Sequence, residues 1–468
     1  MPLLGEIARL EKLDGVAVSN SRLLVAGLAL LAVAGIAVFS HVRFSGGPPA
    51  APNNGTAAVA DAGNAPTGGM LNTDDFIAFW RRRVESNPAD YISYTELAGG
   101  FLRRAREIGD VDSYSRADAA VDQALKLNPK YETAISYEAN LQFARHDFSD
   151  ALATAQRIYS LNPGSAQALA LIGDNDLELG RYDEAQSAYD NLYGIAQTSP
   201  VLSRLAHLAE LRGDPQKAIG LAQQAVDGAV DAGASAEGQA WYHLQLANLD
   251  FNTGDLDSAQ TQYSASLAAF PGYVHGLAGL AKVNAARRDY DGAISLYGQV
   301  VARQPIPEYV AAFGDVYRAA GREQEAQQQY ALIGAIDGLY KANGINTDLQ
   351  MALFFADHDL KLDDAVTQAR DVYLRQPGNI RAADVLSWAL YKSGQYEEAM
   401  AYSQEALRLG TRDALMLFHA GMINDKLGNR GAAREYLSRA LEINPGFSVL
   451  YADQAAQSLY SVQSLASG

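Results

Sequence analysis

Residues that could do chemistry are few in this chain and mostly far apart. The seven histidines fall at 41, 146, 207, 243, 275, 358 and 419. Only Asp357, His358 and Asp359 form a dense cluster, at the end of a predicted helix. A carboxylate–imidazole–carboxylate triplet is suited to holding a divalent metal or moving a proton. The plainer expectation is a solvated turn. Paired carboxylates such as Glu397–Glu398 stand just before a predicted helix, where negative charge suits the helix N-terminus without any catalytic role. The sequence has no cysteine, which excludes disulfides, thiol nucleophiles and cysteine-ligated metals. Phosphate-binding glycine loops, HExxH and GxSxG are also missing. The expectation is therefore a protein that is not an enzyme and has neither cofactor nor metal.

What positions these residues is a repeat. Alanines recur at 117, 151, 185, 218, 259, 293, 326, 365, 399 and 433, in steps of 34, 34, 33, 41, 34, 33, 39, 34 and 34. A period of this length marks a stack of helix pairs, each burying its apolar face only against its neighbours. Residues 274–305 show the unit best. Apolar residues return at three- and four-residue spacing in both halves, Ala293 marks the close helix crossing, Tyr297 fills the space one turn later, and Pro305 closes the unit. A turn glycine recurs at Gly180, Gly213, Gly254, Gly321, Gly394 and Gly428. Departures lie around Ile108–Ser115, Asp227–Gly238 and Gly338–Thr347, where the lengthened connections are expected to act as kinks or hinges.

Before the repeats, residues 1–22 form a short polar segment and Leu23–Phe39 an uninterrupted apolar run. Extended to residue 42, the run is long enough for a membrane-spanning helix. A cleaved signal peptide and a buried soluble helix are the alternatives. Arg9, Lys12 and Arg22 before the run, against Arg43 after it, place the N-terminus in the cytoplasm and the repeats outside it. Residues 43–72, rich in Gly, Pro and Ala, read as a flexible linker reaching on the order of 25 Å. Up to Met70 the basic side chains (Arg9, Lys12, Arg22, Arg43) balance the acidic ones (Glu6, Glu11, Asp14, Asp61), so the net charge of -17 resides on the repeats. Such an array repels phosphate backbones and anionic lipid headgroups, which argues against nucleic-acid binding.

The recurring Leu-Gly/Ala, Tyr, Ala, aromatic, Ala and Pro positions over residues 87–447 resemble the tetratricopeptide repeat (TPR) family. Residues 79–98 and 384–422 look like those of bacterial membrane-anchored or exported members of unassigned function. The resemblance implies an all-α, right-handed superhelical solenoid of about ten helix pairs. It would occupy residues 73–447, with a capping helix and tail at 448–468. It also implies that first helices line a concave groove. Carried over by offset, a peptide-binding groove would present Asn140, Asn248, Lys282, Asp315, Met351, Phe354, Trp388, Tyr391, Phe418 and Met422. The alternative for the aromatic and methionine members is that they pack against one another or against the next superhelical turn. The offsets that hold basic residues in carboxylate-clamp members are Ser136, Ala170, Leu244, Ala278 and Ala311, so recognition of an acidic C-terminal tail is not expected.

These readings converge on a membrane-anchored scaffold for protein–protein interaction at the bacterial cell envelope, with a protein or peptide partner and no nucleic acid. Self-association into a structural assembly is the first alternative, and metal handling by inner-face histidines the second.

Overall fold

An alanine at the crossing of two helices lets their backbones approach where a larger side chain would hold them apart. All ten anchor alanines, from Ala117 to Ala433, are fully buried in the computed structural model, which describes residues 72–108, 110 and 112–464. Those residues form twenty-two helices and no strand. Helix α1 (Thr73–Ser86) precedes ten hairpin pairs. The first five pairs are α2 (Tyr91–Ile108) with α3 (Asp112–Leu127), α4 (Glu132–Ala144) with α5 (Phe148–Leu161), α6 (Ala166–Glu178) with α7 (Tyr182–Ile195), α8 (Ser199–Leu211) with α9 (Pro215–Asp231), and α10 (Ala236–Asn252) with α11 (Leu256–Ala269). The next five are α12 (Val274–Ala286) with α13 (Tyr290–Arg303), α14 (Pro307–Ala319) with α15 (Glu323–Ala342), α16 (Asp348–Asp357) with α17 (Leu362–Arg375), α18 (Ile380–Lys392) with α19 (Tyr396–Ala406), and α20 (Ala414–Lys426) with α21 (Arg430–Ile443). A final helix, α22 (Ala452–Ser464), closes the array.

The pairs wind into a superhelix whose second turn sits on its first. The hairpin turns of early pairs meet the inter-pair loops of late ones. His146 Nδ1 donates to the Asn346 carbonyl at 2.6 Å, across 200 residues. Asn379 Nδ2 donates to the Glu178 carbonyl at 2.7 Å, and the Ile380 amide to the Tyr182 hydroxyl at 3.0 Å. Asn444 Nδ2 does the same for the Phe251 carbonyl at 2.7 Å. The backbone approach is so close that a Cβ on Gly180 would strike Gly378 and Asn379, and one on Gly213 would strike Gly410. Both glycines also hold left-handed φ, +77° and +73°. Where the expected turn glycine is missing, His146, Arg288 and Asp359 take the same left-handed turn, at φ 66°, 63° and 54°.

The two longer connections behave differently from the hinges expected. Their extra residues lengthen helices: α9 has 17 residues and α15 has 20, against 14 in α5, and the first helix α10 has 17 against 13 in α4. The end of α15 thereby delivers Asn346 to His146. The capping helix exposes Asp453, Gln454 and Gln457, whereas Tyr451 just before it is buried, its hydroxyl donating to Asp357 Oδ1 at 2.8 Å. The expected membrane helix at 23–42 and linker at 43–72 lie outside the described residues, save residue 72. Among the described residues no helix is long and apolar enough to cross a membrane.

Three hairpin glycines supply an internal control, since Gly394 has φ +80° but open space around its Cβ position. Gly394→Ala is expected to cost about 1 kcal/mol of left-handed strain. Gly180→Ala and Gly213→Ala should cost that and about 1–3 kcal/mol more from the steric conflict with the upper turn. Denaturation midpoints of the three variants compare these directly, and equal losses would mean that the two superhelical turns do not press on each other.

Candidate functional site: the axial chamber

Winding the first helices inward leaves a chamber of about 1070 Å³ along the superhelix axis. Its wall is made by α4, α6, α8, α10, α12 and α14, and the connection Gly446–Val449 covers one side. The wall repeats one device. A small residue on the first helix makes room for a tyrosine ring from the second, and the hydroxyl of that tyrosine holds the polar residue that follows the small one. Tyr189 thus donates to Asp174 at 2.9 Å, Tyr263 to Asn248 at 2.7 Å, and Tyr330 to Asp315 at 2.8 Å. A Cβ on Gly173 or Gly314 would enter the Tyr189 or Tyr330 ring.

Charge on the wall is largely compensated in place. Arg204 grips Asp174 through two bonds of 2.8 Å, and both residues are buried. Lys282 Nζ lies 4.0 Å from the centroid of the Phe251 ring. His358 Nε2 faces Asp315 Oδ1 at 2.8 Å while its Nδ1 faces the Phe354 carbonyl at 2.7 Å. Both partners are acceptors, so both ring nitrogens must carry protons and the ring is an imidazolium. Burial pushes its pKa down, but the Asp315 carboxylate outweighs that and raises it above the usual histidine value. His275 is bonded to the Tyr309 hydroxyl, and burial pushes it down to about 4. Glu237 is raised by the same desolvation, opposed by nearby Arg106.

A family model for the tetratricopeptide repeat matches residues 137–200, 244–307 and 385–446. The chain is a tetratricopeptide-repeat protein. Solved structures similar to it include YrrB, a TPR protein described as having an unusual peptide-binding site, at 20% identity. That likeness covers 40% of this chain and 93% of YrrB, with a TM-score of 0.26. A TPR protein from Parabacteroides merdae is 14% identical over 57% of this chain and 100% of its own, with a TM-score of 0.34. The human IFIT1 dimer with PPP-AAAA is 12% identical over 80% of this chain and 96% of its own, with a TM-score of 0.41. No curated protein sequence matches the chain.

The ten groove residues inferred from the TPR offsets separate into two sets. Asn140, Asn248, Lys282 and Asp315 line the chamber and are half-buried. Met351, Phe354, Trp388, Tyr391, Phe418 and Met422, on the upper turn, are all buried. Trp388 is only 1% exposed and stacks on His419 and Tyr391, with centroids 4.2 and 4.8 Å away. Phe418 stacks on Tyr451 just before the capping helix, and Phe354 lies against His358. On the upper turn the inner face is therefore filled by the chain itself, and the open volume belongs to the lower turn.

Four of the five clamp positions, Ser136, Ala170, Leu244 and Ala278, also line the chamber. Sequence reasoning passed over Arg204, which stands next to Ser203, the counterpart of Ala170 in the following pair. It is bound to Asp174. Trp241, Tyr273 and Tyr309 were missed as well, although Trp241 lies two helical turns before Asn248 on the same helix face. The Asp357–His358–Asp359 cluster is no solvated turn. Asp357 accepts from Trp388 Nε1 at 2.8 Å, the His358 side chain is 3% exposed, and only Asp359 reaches solvent, paired with Lys392. Packing of the α16 end against α14, α18 and the cap, invisible in a local triplet, accounts for the difference. Among the described residues no group of three or more His, Asp or Glu could hold a metal ion.

Two outcomes follow for the wall. Arg204→Leu leaves the Asp174 charge buried and unpaired and should cost about 3–5 kcal/mol, most of it recovered in Asp174→Asn/Arg204→Leu, as read by chemical denaturation. The folded pKa of His358 exceeds its unfolded one. Its contribution is therefore full below the ordinary value of 6.5 and is lost as pH rises through the raised value. The stability gap between wild type and His358→Gln should be wider at roughly pH 5.5 than at roughly pH 9. A gap that widened with pH would show the ring to be neutral.

Proposed function

We propose that this protein is a membrane-anchored scaffold of the bacterial cell envelope, holding a segment of a protein partner in its axial chamber and performing no chemistry. The TPR array supplies the general role, a surface for protein–protein interaction. The observation that carries the finer reading is the chamber itself. Its volume of about 1070 Å³ exceeds the roughly 300–1,000 Å³ usual for small-molecule pockets. Its wall mixes apolar faces with side chains able to pair with a peptide backbone, among them Asn140, Asn248 and Gln245. The Asn248 oxygen already accepts from Tyr263, which fixes the amide and leaves its N–H groups for a ligand carbonyl. Trp241 shows an edge of its ring in the same wall, 8% exposed, an aromatic of the kind that anchors interfaces. Anchoring rests on the apolar run at Leu23–Phe39, and the orientation on the basic residues before it.

Crosslinking and capture from native membranes with the full chain as bait tests this reading. Wild type is expected to retain a partner that Trp241→Ala/Asn248→Ala loses at least tenfold, while Trp388→Phe, a core substitution, keeps it. Equal capture by the chamber variant would place binding elsewhere on the array.

A further inference from the structure

The contact between superhelical turns has two kinds of edge, and one of each is left open. Inside the chain, hairpin turns form the upper edge of the lower turn, and inter-pair loops form the lower edge of the upper turn. On the opposite sides stand the lower turn's own loops, at Asn128–Pro129 and Asn162–Gly164, and the upper turn's own hairpins, around Gly394 and Gly428. The Cβ positions of Gly394 and Gly428 meet nothing within 4 Å, whereas those of Gly180 and Gly213 meet backbone.

The apolar residues at these edges differ by the same rule. Leu127, Leu161 and Ile195 each end the second helix of a pair, at the same place after its anchor alanine. They are 39, 46 and 53% exposed. On the upper turn, Leu409 and Ile443 occupy the corresponding place in successive repeats, and both are partly covered. Leu409 packs against a cluster that joins Leu177, Tyr182, Leu208 and Leu211 of the lower turn to Ile380 and Met416 of the upper. At Leu409 the position is covered where the two turns meet, and at Leu127, Leu161 and Ile195, with no turn beneath, it is bare. The stripe is one-sided and regular, unlike singly scattered surface apolar residues.

We propose that this edge seats on the upper edge of a second copy of the chain, so that two arrays stack head-to-tail and continue the superhelix. The occupant is set by continuity, since the intramolecular contact already shows which edge fits which. The upper edge offers Leu360, 43% exposed, and Tyr396, the counterpart of Tyr182 shortly after the hairpin glycine. Such a contact joins different surfaces on the two copies and does not close on itself. The net charge of -17 opposes stacking, so association strengthens as salt screens the repulsion. This inference is independent of what the chamber holds.

The absence of cysteine makes the test direct. Full-length Gly164→Cys and Gln395→Cys are prepared separately and treated with a short bis-maleimide, alone and as an equal mixture. The expected result is a crosslinked dimer in the mixture, at least fivefold above either variant alone, and a ladder of higher species when both cysteines are on one chain. Adding Leu161→Glu/Ile195→Glu should abolish the product, while Leu374→Glu, exposed but off the stripe, should not. The proposal fails if the mixture gives no product, if a single variant crosslinks equally well to itself, or if the glutamate pair leaves the yield unchanged. Circular dichroism of the glutamate variant confirms that these exposed positions leave the helices intact.

Discussion

Everything distinctive in this structure depends on two superhelical turns being close enough for backbone to touch backbone. A TPR array needs only neighbour-to-neighbour packing to hold its helices, and most of the contacts here are of that kind. The second turn adds contacts across about 200 residues, made by side-chain amides and an imidazole to backbone carbonyls at helix ends. They reach carbonyls at or just beyond helix ends, where the intrahelical ladder stops, although the Phe251 carbonyl also accepts from the Gly254 amide. Gly180 and Gly213 permit the approach sterically, because a side chain there would occupy the space the upper loops take.

That seating determines which inner surface stays open. Above, the aromatic inner face is filled by Phe447, Tyr451 and the stacked rings of Trp388, Tyr391 and His419. Below, the ring of first helices keeps a void whose wall includes polar residues propped by tyrosines. The wall charges are neutralised locally, Asp174 by Arg204 and Asp315 by His358. A partner entering the chamber would meet positioned amides and aromatic faces more than a strong field of one sign. Electrostatics on this wall acts on folding and rigidity, and under the proposed function recognition would fall to shape and hydrogen bonding.

The candidate site was legible in part, and the division follows a physical line. Asn140, Asn248, Lys282 and Asp315 could be placed on the inner face because their offsets within a repeat decide which way a helical side chain points. Trp388 and Phe418 point inward by the same rule, yet they are covered, since inward is a statement about one helix and open is a statement about the whole superhelix. The triplet at Asp357–Asp359 looked like a solvated helix end because each of its partners, Asp315, Trp388, Lys392 and Tyr451, comes from another element.

By itself the sequence determined the period, the helix pairs, the ten buried alanines, the turn positions and the absence of thiol chemistry. All of these are set within a single repeat, by helical periodicity and by the small side chains a close crossing requires. Tertiary structure alone decided that the superhelix seats on itself, that the lengthened segments become longer helices, and that the open volume lies on the lower turn. Those outcomes depend on curvature summed over many repeats, in which small rotations at each interface add up before two distant loops either meet or miss. No local pattern records that sum.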